Sequence, residues 1–266
     1  MEKPPIVTAN DWAGLRCYTE ARIALGRSGV SQPTGPQLAF QMAHARARDA
    51  VHVPLDLAQL EGELAEVGLR SLRLHTQAVD RAVYLQRPDL GRRLDPDSAA
   101  LLKQWQRREE TADIALVLAD GLSSTAVQRH AVAVLEAVDR ALAAEGLTRS
   151  PVCIVRQGRV AVGDEVGELL DCRAVVLLVG ERPGLSSPDS LGIYYTWAPR
   201  VGLTDAARNC ISNIRPAGIS PEAAAERLLW LVKESMHRGL SGVELKDRSG
   251  EGKALEGSGG RNFLLD

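Results

Sequence analysis

Aromatic side chains are scarce in this chain, with two phenylalanines, four tyrosines and four tryptophans among 266 residues. Any large core must therefore be mainly aliphatic. That suits a parallel sheet whose Val-, Leu- and Ile-rich strands are covered by helices on both faces. No apolar run approaches the ~20 residues needed to cross a bilayer, so no membrane partner is expected. A formal charge of −2 lacks the basic excess of nucleic-acid-binding proteins. The opening MEKPPIVTANDW has no charged start, apolar middle and small-residue cleavage site of a secretory signal. The chain reads as soluble and cytoplasmic.

Cysteine and histidine are also few. Cys17, Cys153, Cys172 and Cys210 include no CxxC pair, and in a cytoplasmic protein they are expected to be reduced. Each reads first as a small buried hydrophobe. His44, His52, His75, His130 and His237 have no metal-pair spacing, so no metal ligands are assigned. Two catalytic fingerprints are missing as well. No G-x-G-x-x-G follows a strand, which removes the usual sign of nicotinamide binding. Asp120, Ser123 and His130 lie close in sequence, but Asp-Gly-Leu-Ser-Ser is not the G-x-S-x-G elbow of an α/β-hydrolase. No catalytic residue is assigned to this chain.

What is present is a change of character near Gly68. Before it, helices are expected over about 9–26, 36–50 and 56–67, the last with Leu57, Leu60, Leu64 and Val67 at helical spacing. After it, strands are expected at 69–74, 114–119, 152–156, 174–179 and 210–214. Helices are expected between them at 77–85, 97–108, 124–145 and 164–170, with a final one from Pro221 to about His237 capped by Ser220. This alternation predicts an α/β fold: a Rossmann-like, mostly parallel sheet flanked by helices, with a helical N-terminal region. The domain division expected is 1–68 helical, 69–245 Rossmann-like, and 246–266 a Gly/Ser-rich flexible tail without assigned function.

In such a sheet, ligands collect where strand carboxyl ends meet helix N-termini. Three loops qualify: Asp120–Ser124, Gly180–Leu185 and Asn213–Gly218. Glu181 and Arg182 follow a solid apolar strand. They form either a solvated surface pair or a site in which Glu181 accepts hydrogen bonds from a ligand. Cys210–Ile214, on pattern alone, reads first as a core strand.

Six segments, in order, carry a resemblance. They are Ala-Arg-Ile-Ala-Leu-Gly-Arg-Ser-Gly at 21–29, Tyr-Leu-Gln-Arg-Pro-Asp-Leu-Gly-Arg-Arg-Leu at 84–94 and Ala-Asp-Gly-Leu-Ser at 119–123. Three more follow: Gln-Gly-Arg-Val at 157–160, Leu-Leu-Val-Gly-Glu-Arg-Pro-Gly-Leu at 177–185 and Cys-Ile-Ser-Asn-Ile at 210–214. Together they resemble the small (light) subunit of ethanolamine ammonia-lyase. The resemblance implies a hetero-oligomer in which a large (β/α)₈-barrel subunit binds ethanolamine and the small subunit lies beneath a corrin ring. It implies conversion of ethanolamine to acetaldehyde and ammonia by radical chemistry, begun by homolysis of the cobalt–carbon bond of adenosylcobalamin. The small subunit would not be active alone.

The resemblance also implies cofactor contacts through the Val160 backbone amide, Glu181 and Cys210. Corrin side arms carry amides that need acceptors and donors of these kinds. None of the five histidines stands in an Asp-x-His-x-x-Gly context, in keeping with the family's base-on cobalamin. The 87–93 segment carries no residue-level role, and either an interface ion-pair cluster or a structural turn fits it. The helical first quarter would suit packing on the large subunit. Some family members carry a longer N-terminal extension associated with a bacterial microcompartment. Here the common region begins by about residue 20, which favours free cytoplasm. Two rivals are a stand-alone Rossmann-like ligand-binding regulatory module and a subunit of another cobalamin enzyme such as a diol dehydratase.

Overall fold

A computed structural model describes residues 6–108 and 111–249. Its centre is a six-stranded sheet of β1 (Ser71–His75), β2 (Ile114–Ala119), β3 (Val152–Arg156), β4 (Ala174–Gly180), β5 (Leu191–Trp197) and β6 (Arg208–Ile214). The spatial order is β1-β3-β2-β4-β5-β6. Helices α1 (Thr34–His52), α2 (Leu57–Glu66), α3 (Arg81–Gln86), α4 (Pro96–Gln106), α5 (Ser124–Ala144), α6 (Val162–Leu169) and α7 (Pro221–Arg238) complete the fold. It is an α/β architecture with a mixed sheet between helices.

Alternation along β2 explains the two layers. Ile114, Leu116 and Leu118 join a core with Leu60 and Leu64 of α2, the apolar stripe of α5, and Leu228 and Leu231 of α7. Ala115, Val117 and Ala119 turn the other way, onto Leu102 of α4 and Val162 and Val166 of α6. Both faces of the strand are thus buried, which is why it reads as an unbroken apolar run. β4 repeats the device, with Val176 and Leu178 on one face and Val175 and Leu177 on the other.

The sheet departs from the expected pattern at one strand. β1, β3, β2 and β4 pair in parallel, but β5 runs against both β4 and β6. β5 had no counterpart in the sequence expectations, although Leu-Gly-Ile-Tyr-Tyr-Thr-Trp is rich in strand formers. The chain between Gly180 and Leu191 contains no helix. It is too short for the crossover of a dozen or more residues that a parallel return needs. Because β5 and β6 are antiparallel, β6 regains the direction of β4.

The first quarter differs too. The helix expected over 9–26 is a 3₁₀ segment, Asp11–Cys17, with no buried residue. Short helices depend on packing for stability, and this one has no core to meet. Only Ala50 is buried in α1, while Leu38, Phe40 and Met42 are exposed. The cysteines divide: Cys153 and Cys172 are buried as expected, whereas Cys17 and Cys210 are exposed. Of the tail expected over 246–266, residues 250–266 lie outside the described residues.

Candidate functional site

The carboxyl ends of β2, β3, β4 and β6 share one edge of the sheet, and three loops meet there. β2 delivers Asp120, buried beneath the surface. Its Oδ1 accepts the Gly158 N–H at 3.0 Å, binding the β2 loop to the β3 loop. Burial pushes the Asp120 carboxyl up, against hydrogen bonds from Gln157 and Gly158 and the nearby charge of Arg81. Gln157 takes a left-handed φ of 54°, uncommon for a non-glycine residue. Its carbonyl is held there by the Thr76 hydroxyl at 2.9 Å.

Glycines allow the β2 and β4 loops to touch. A Cβ at Gly180 would lie 2.0 Å from the Ser123 carbonyl oxygen, and one at Gly121, with φ of 60°, would lie 2.3 Å from the Gly180 oxygen. The Leu122 N–H donates to that same Gly180 oxygen at 2.9 Å. Ser123 caps α5 through the Ala126 N–H and donates to the Pro188 carbonyl at 2.8 Å. It is buried and engaged, while His130 faces Asp189 at 3.5 Å. No nucleophile–base pair exists between them.

These loops surround a pocket of about 430 Å³. Leu122, Val179 and Tyr194 give it apolar walls, and Gly121, Gly158 and Gly180 bring backbone close to the surface. Val160, Glu181, Arg159, Arg182 and Tyr84 complete it. Tyr84 lies under two guanidinium groups, with the carbon of Arg159 4.3 Å and that of Arg81 4.6 Å from its ring centre. Arg81 Nη2 and Arg159 Nε have no hydrogen-bond acceptor among the described residues; stacking on the ring's negative face is what each finds instead. Burial, the leading cause, pushes the Tyr84 hydroxyl up to about 12.

Two of the three expected contact residues line this pocket. Val160 precedes α6, whose N-cap makes no side-chain hydrogen bond. The Val160 N–H finds no acceptor among the described residues, as is usual for the donors at a helix start. Glu181, directly after β4, accepts from the Ser212 hydroxyl at 2.5 Å, from the Asn213 N–H at 3.3 Å and from the Ser190 hydroxyl. Cys210 stands one strand further out, paired in register with Tyr194, whose side chain lines the pocket. Burial is the main influence on the Cys210 thiol and pushes it up, partly offset by the neighbouring Tyr194 hydroxyl. Burial, more than any other cause, raises the Tyr194 hydroxyl, and Cys210 and the charge of Glu181 add to it.

The 87–93 segment has a clear local role. The Gly91 carbonyl accepts the Arg159 N–H at 2.7 Å, and a Cβ at Gly91 would lie 2.8 Å from Arg159 Cγ. Arg93 forks onto Glu165 of α6 with two contacts of 3.0 Å. The segment thus buttresses the loop that carries Val160. The segment 21–29 also reaches this edge, because Arg22 donates to the Leu185 carbonyl at 3.4 Å.

Sequence reasoning did not single out Tyr84, Arg159, Tyr194, Ser190 or Ser212. Ser212 lay within the quoted Cys-Ile-Ser-Asn-Ile and Tyr84 within the 84–94 segment, so part of the signal was present. Ser190 and Tyr194 belong to the strand that was not foreseen.

Comparison with known proteins gives this edge its context. The family model described as ethanolamine ammonia-lyase light chain matches residues 9–246. The chain is 58% identical over 266 residues to the ethanolamine ammonia-lyase small subunit of Ralstonia nicotianae, covering 100% of this chain and 98% of that protein. It is 58% identical over 261 residues to the same-named subunit of Azotobacter vinelandii, covering 97% and 96%. It is also 58% identical over 265 residues to that of Pseudomonas aeruginosa, covering 98% and 97%.

Proposed function

The chain belongs to the ethanolamine ammonia-lyase light-chain family, and from that premise we propose that it holds adenosylcobalamin, through Val160, Glu181 and Cys210, against a large (β/α)₈-barrel subunit that binds ethanolamine. The chain is a subunit of a carbon–nitrogen lyase. The stand-alone regulatory module and the diol dehydratase subunit give way to this assignment.

The observation that carries the cofactor reading is the donor set at the pocket. A corrin rim presents primary amides, whose N–H groups need acceptors and whose carbonyls need donors. The pocket offers one of each: a carboxylate at Glu181 and a backbone N–H at Val160 without an acceptor among the described residues. Apolar Leu122 and Val179 lie between them. The pocket is open and smaller than a corrinoid, which fits a cofactor lying across it and covered from the other side by a second chain. The cobalt's keeping its own dimethylbenzimidazole base belongs to the same proposal. Once bound, adenosylcobalamin supplies the radical that converts ethanolamine to acetaldehyde and ammonia. This chain's own part is to orient and hold.

The division into a 1–68 region and a 69–245 cofactor-contacting unit belongs to the same proposal. The exposed apolar residues of α1 suit packing on the large subunit. No described helix is long and apolar enough to cross a membrane; the cytoplasm is the proposed location, ahead of a microcompartment.

The test is co-expression with the large subunit, followed by measurement of retained cobalamin and released acetaldehyde. Glu181→Ala should lower cobalamin retention by roughly tenfold or more, the scale expected for a hydrogen bond to a charged group. Unchanged retention in the assembled complex would take Glu181 out of the site. Acetaldehyde release by the small chain alone would overturn the division of labour.

A further inference from the structure

We propose that Ser190 and Ser212 are positioning residues that clamp Glu181 and leave a single direction in which its carboxylate can receive a ligand N–H. The proposal rests on the cofactor reading above and specifies how the acceptor half of that site is built.

A carboxylate offers about four acceptor positions, two on each oxygen. In Glu181, Oε2 takes the Ser190 hydroxyl and the Asn213 N–H, so both of its positions are filled. Oε1 takes the Ser212 hydroxyl at 2.5 Å and keeps one position open. The donors come from separate elements: Ser190 immediately precedes β5, while Ser212 and Asn213 lie at the end of β6. The Glu181 backbone is fixed as well, because its N–H donates to the Ser190 carbonyl at 3.0 Å. A glutamate without these partners would sample several rotamers, at an entropic cost on ligand binding.

Gly192 keeps the space that this arrangement needs. A Cβ there would lie 2.8 Å from Glu181 Oε1 and 3.2 Å from its Cγ. The chemistry of the open position follows. An anionic carboxylate already engaged by three donors accepts one further N–H at its open Oε1 position, and it repels a second carboxylate. The site therefore selects a primary amide over the acid formed when that amide is hydrolysed.

The test uses the assembled complex of both subunits, checked for assembly by size exclusion, with cobalamin and a cobalamin monocarboxylate as probes. Ser212→Ala and Ser190→Ala should each weaken cobalamin binding by about three- to tenfold, less than the direct loss of Glu181 because each serine acts through that carboxylate, and on the scale of one ordinary hydrogen bond. Ser212→Thr keeps the hydroxyl on an exposed strand position and should restore wild-type affinity. Glu181→Gln should shrink the preference for cobalamin over its monocarboxylate, because a carboxamide can donate to the acid. If Glu181→Ala weakens binding while both serine variants bind like wild type, the clamp is wrong and the cofactor reading stands. Failure of Ser212→Thr to rescue Ser212→Ala would also overturn it, since the hydroxyl would not be the active group. If Glu181→Ala itself changes nothing, the cofactor role of Glu181 falls and the clamp falls with it.

Discussion

Asp120 is a buried carboxylate whose work is to hold backbone. It receives the Gly158 N–H and so fixes the left-handed turn at Gln157 from which Val160 follows. Removing the acceptor in Asp120→Ala should cost about 1–3 kcal/mol, because the Gly158 N–H is left buried and unpaired. Asp120→Asn retains an oxygen and should cost less. Burial raises the carboxyl's pKa in the folded chain, which sets the sign of its pH effect. Its contribution to stability is full below the ordinary carboxylate value and is lost as pH rises through the raised one. Thermal melts between pH 3 and about 7 should show a shallower acid-side loss of stability in wild type than in Asp120→Asn; the opposite order would contradict the assignment. The sequence placed Asp120 at the start of a loop after a strand, in a rejected triad and in the 119–123 segment, but gave it no backbone-holding role. Its role depends on Gly158, which reaches it only because β2 and β3 are neighbours.

At the level of elements, one buried ion pair joins α6 to β6. Arg208 of β6 meets Asp164 in the first turn of α6, and both side chains are almost wholly buried. Arg208 also meets the exposed Asp205 at 2.7 Å. Val160 lies just before α6 and Cys210 two residues beyond Arg208, so this pair sets the relation between two proposed contacts. Arg208→Met strands the Asp164 charge and should cost about 3–5 kcal/mol in a urea titration. Adding Asp164→Asn should recover part of that loss, a coupling that a double-mutant cycle would measure. Additive losses would show that the two groups do not act as a pair. The helices α2, α5 and α7 were legible because their apolar spacing or caps lie within one short window. So were β2 and β4, as uninterrupted aliphatic runs bounded by turn residues. The ion pair was not legible, since its members belong to elements whose adjacency is a property of the sheet. The 9–26 segment misled for a related reason: weak periodicity matters only if a core is there to receive it.

At the scale of the molecule, sequence pattern reached an α/β chain, and the six ordered segments reached the family. What it missed was direction. A search for strand–helix alternation passes over a strand that returns without a helix, so β5 went unseen, and with it Ser190 and Tyr194. That reversal has a kinetic consequence. β4, β5 and β6 pair in chain order through short connections, whereas β1 must find β3 with α3, α4, β2 and α5 intervening in the chain. Short loops close at lower entropic cost. In pulse-labelled hydrogen exchange during refolding, amides of β4–β6 should gain protection before those of β1 and β3. Simultaneous protection, or the reverse order, would contradict this. The carboxylate side of the pocket would then be assembled from local chain early in folding. The amide side would close last, as the long-range half of the sheet arrives.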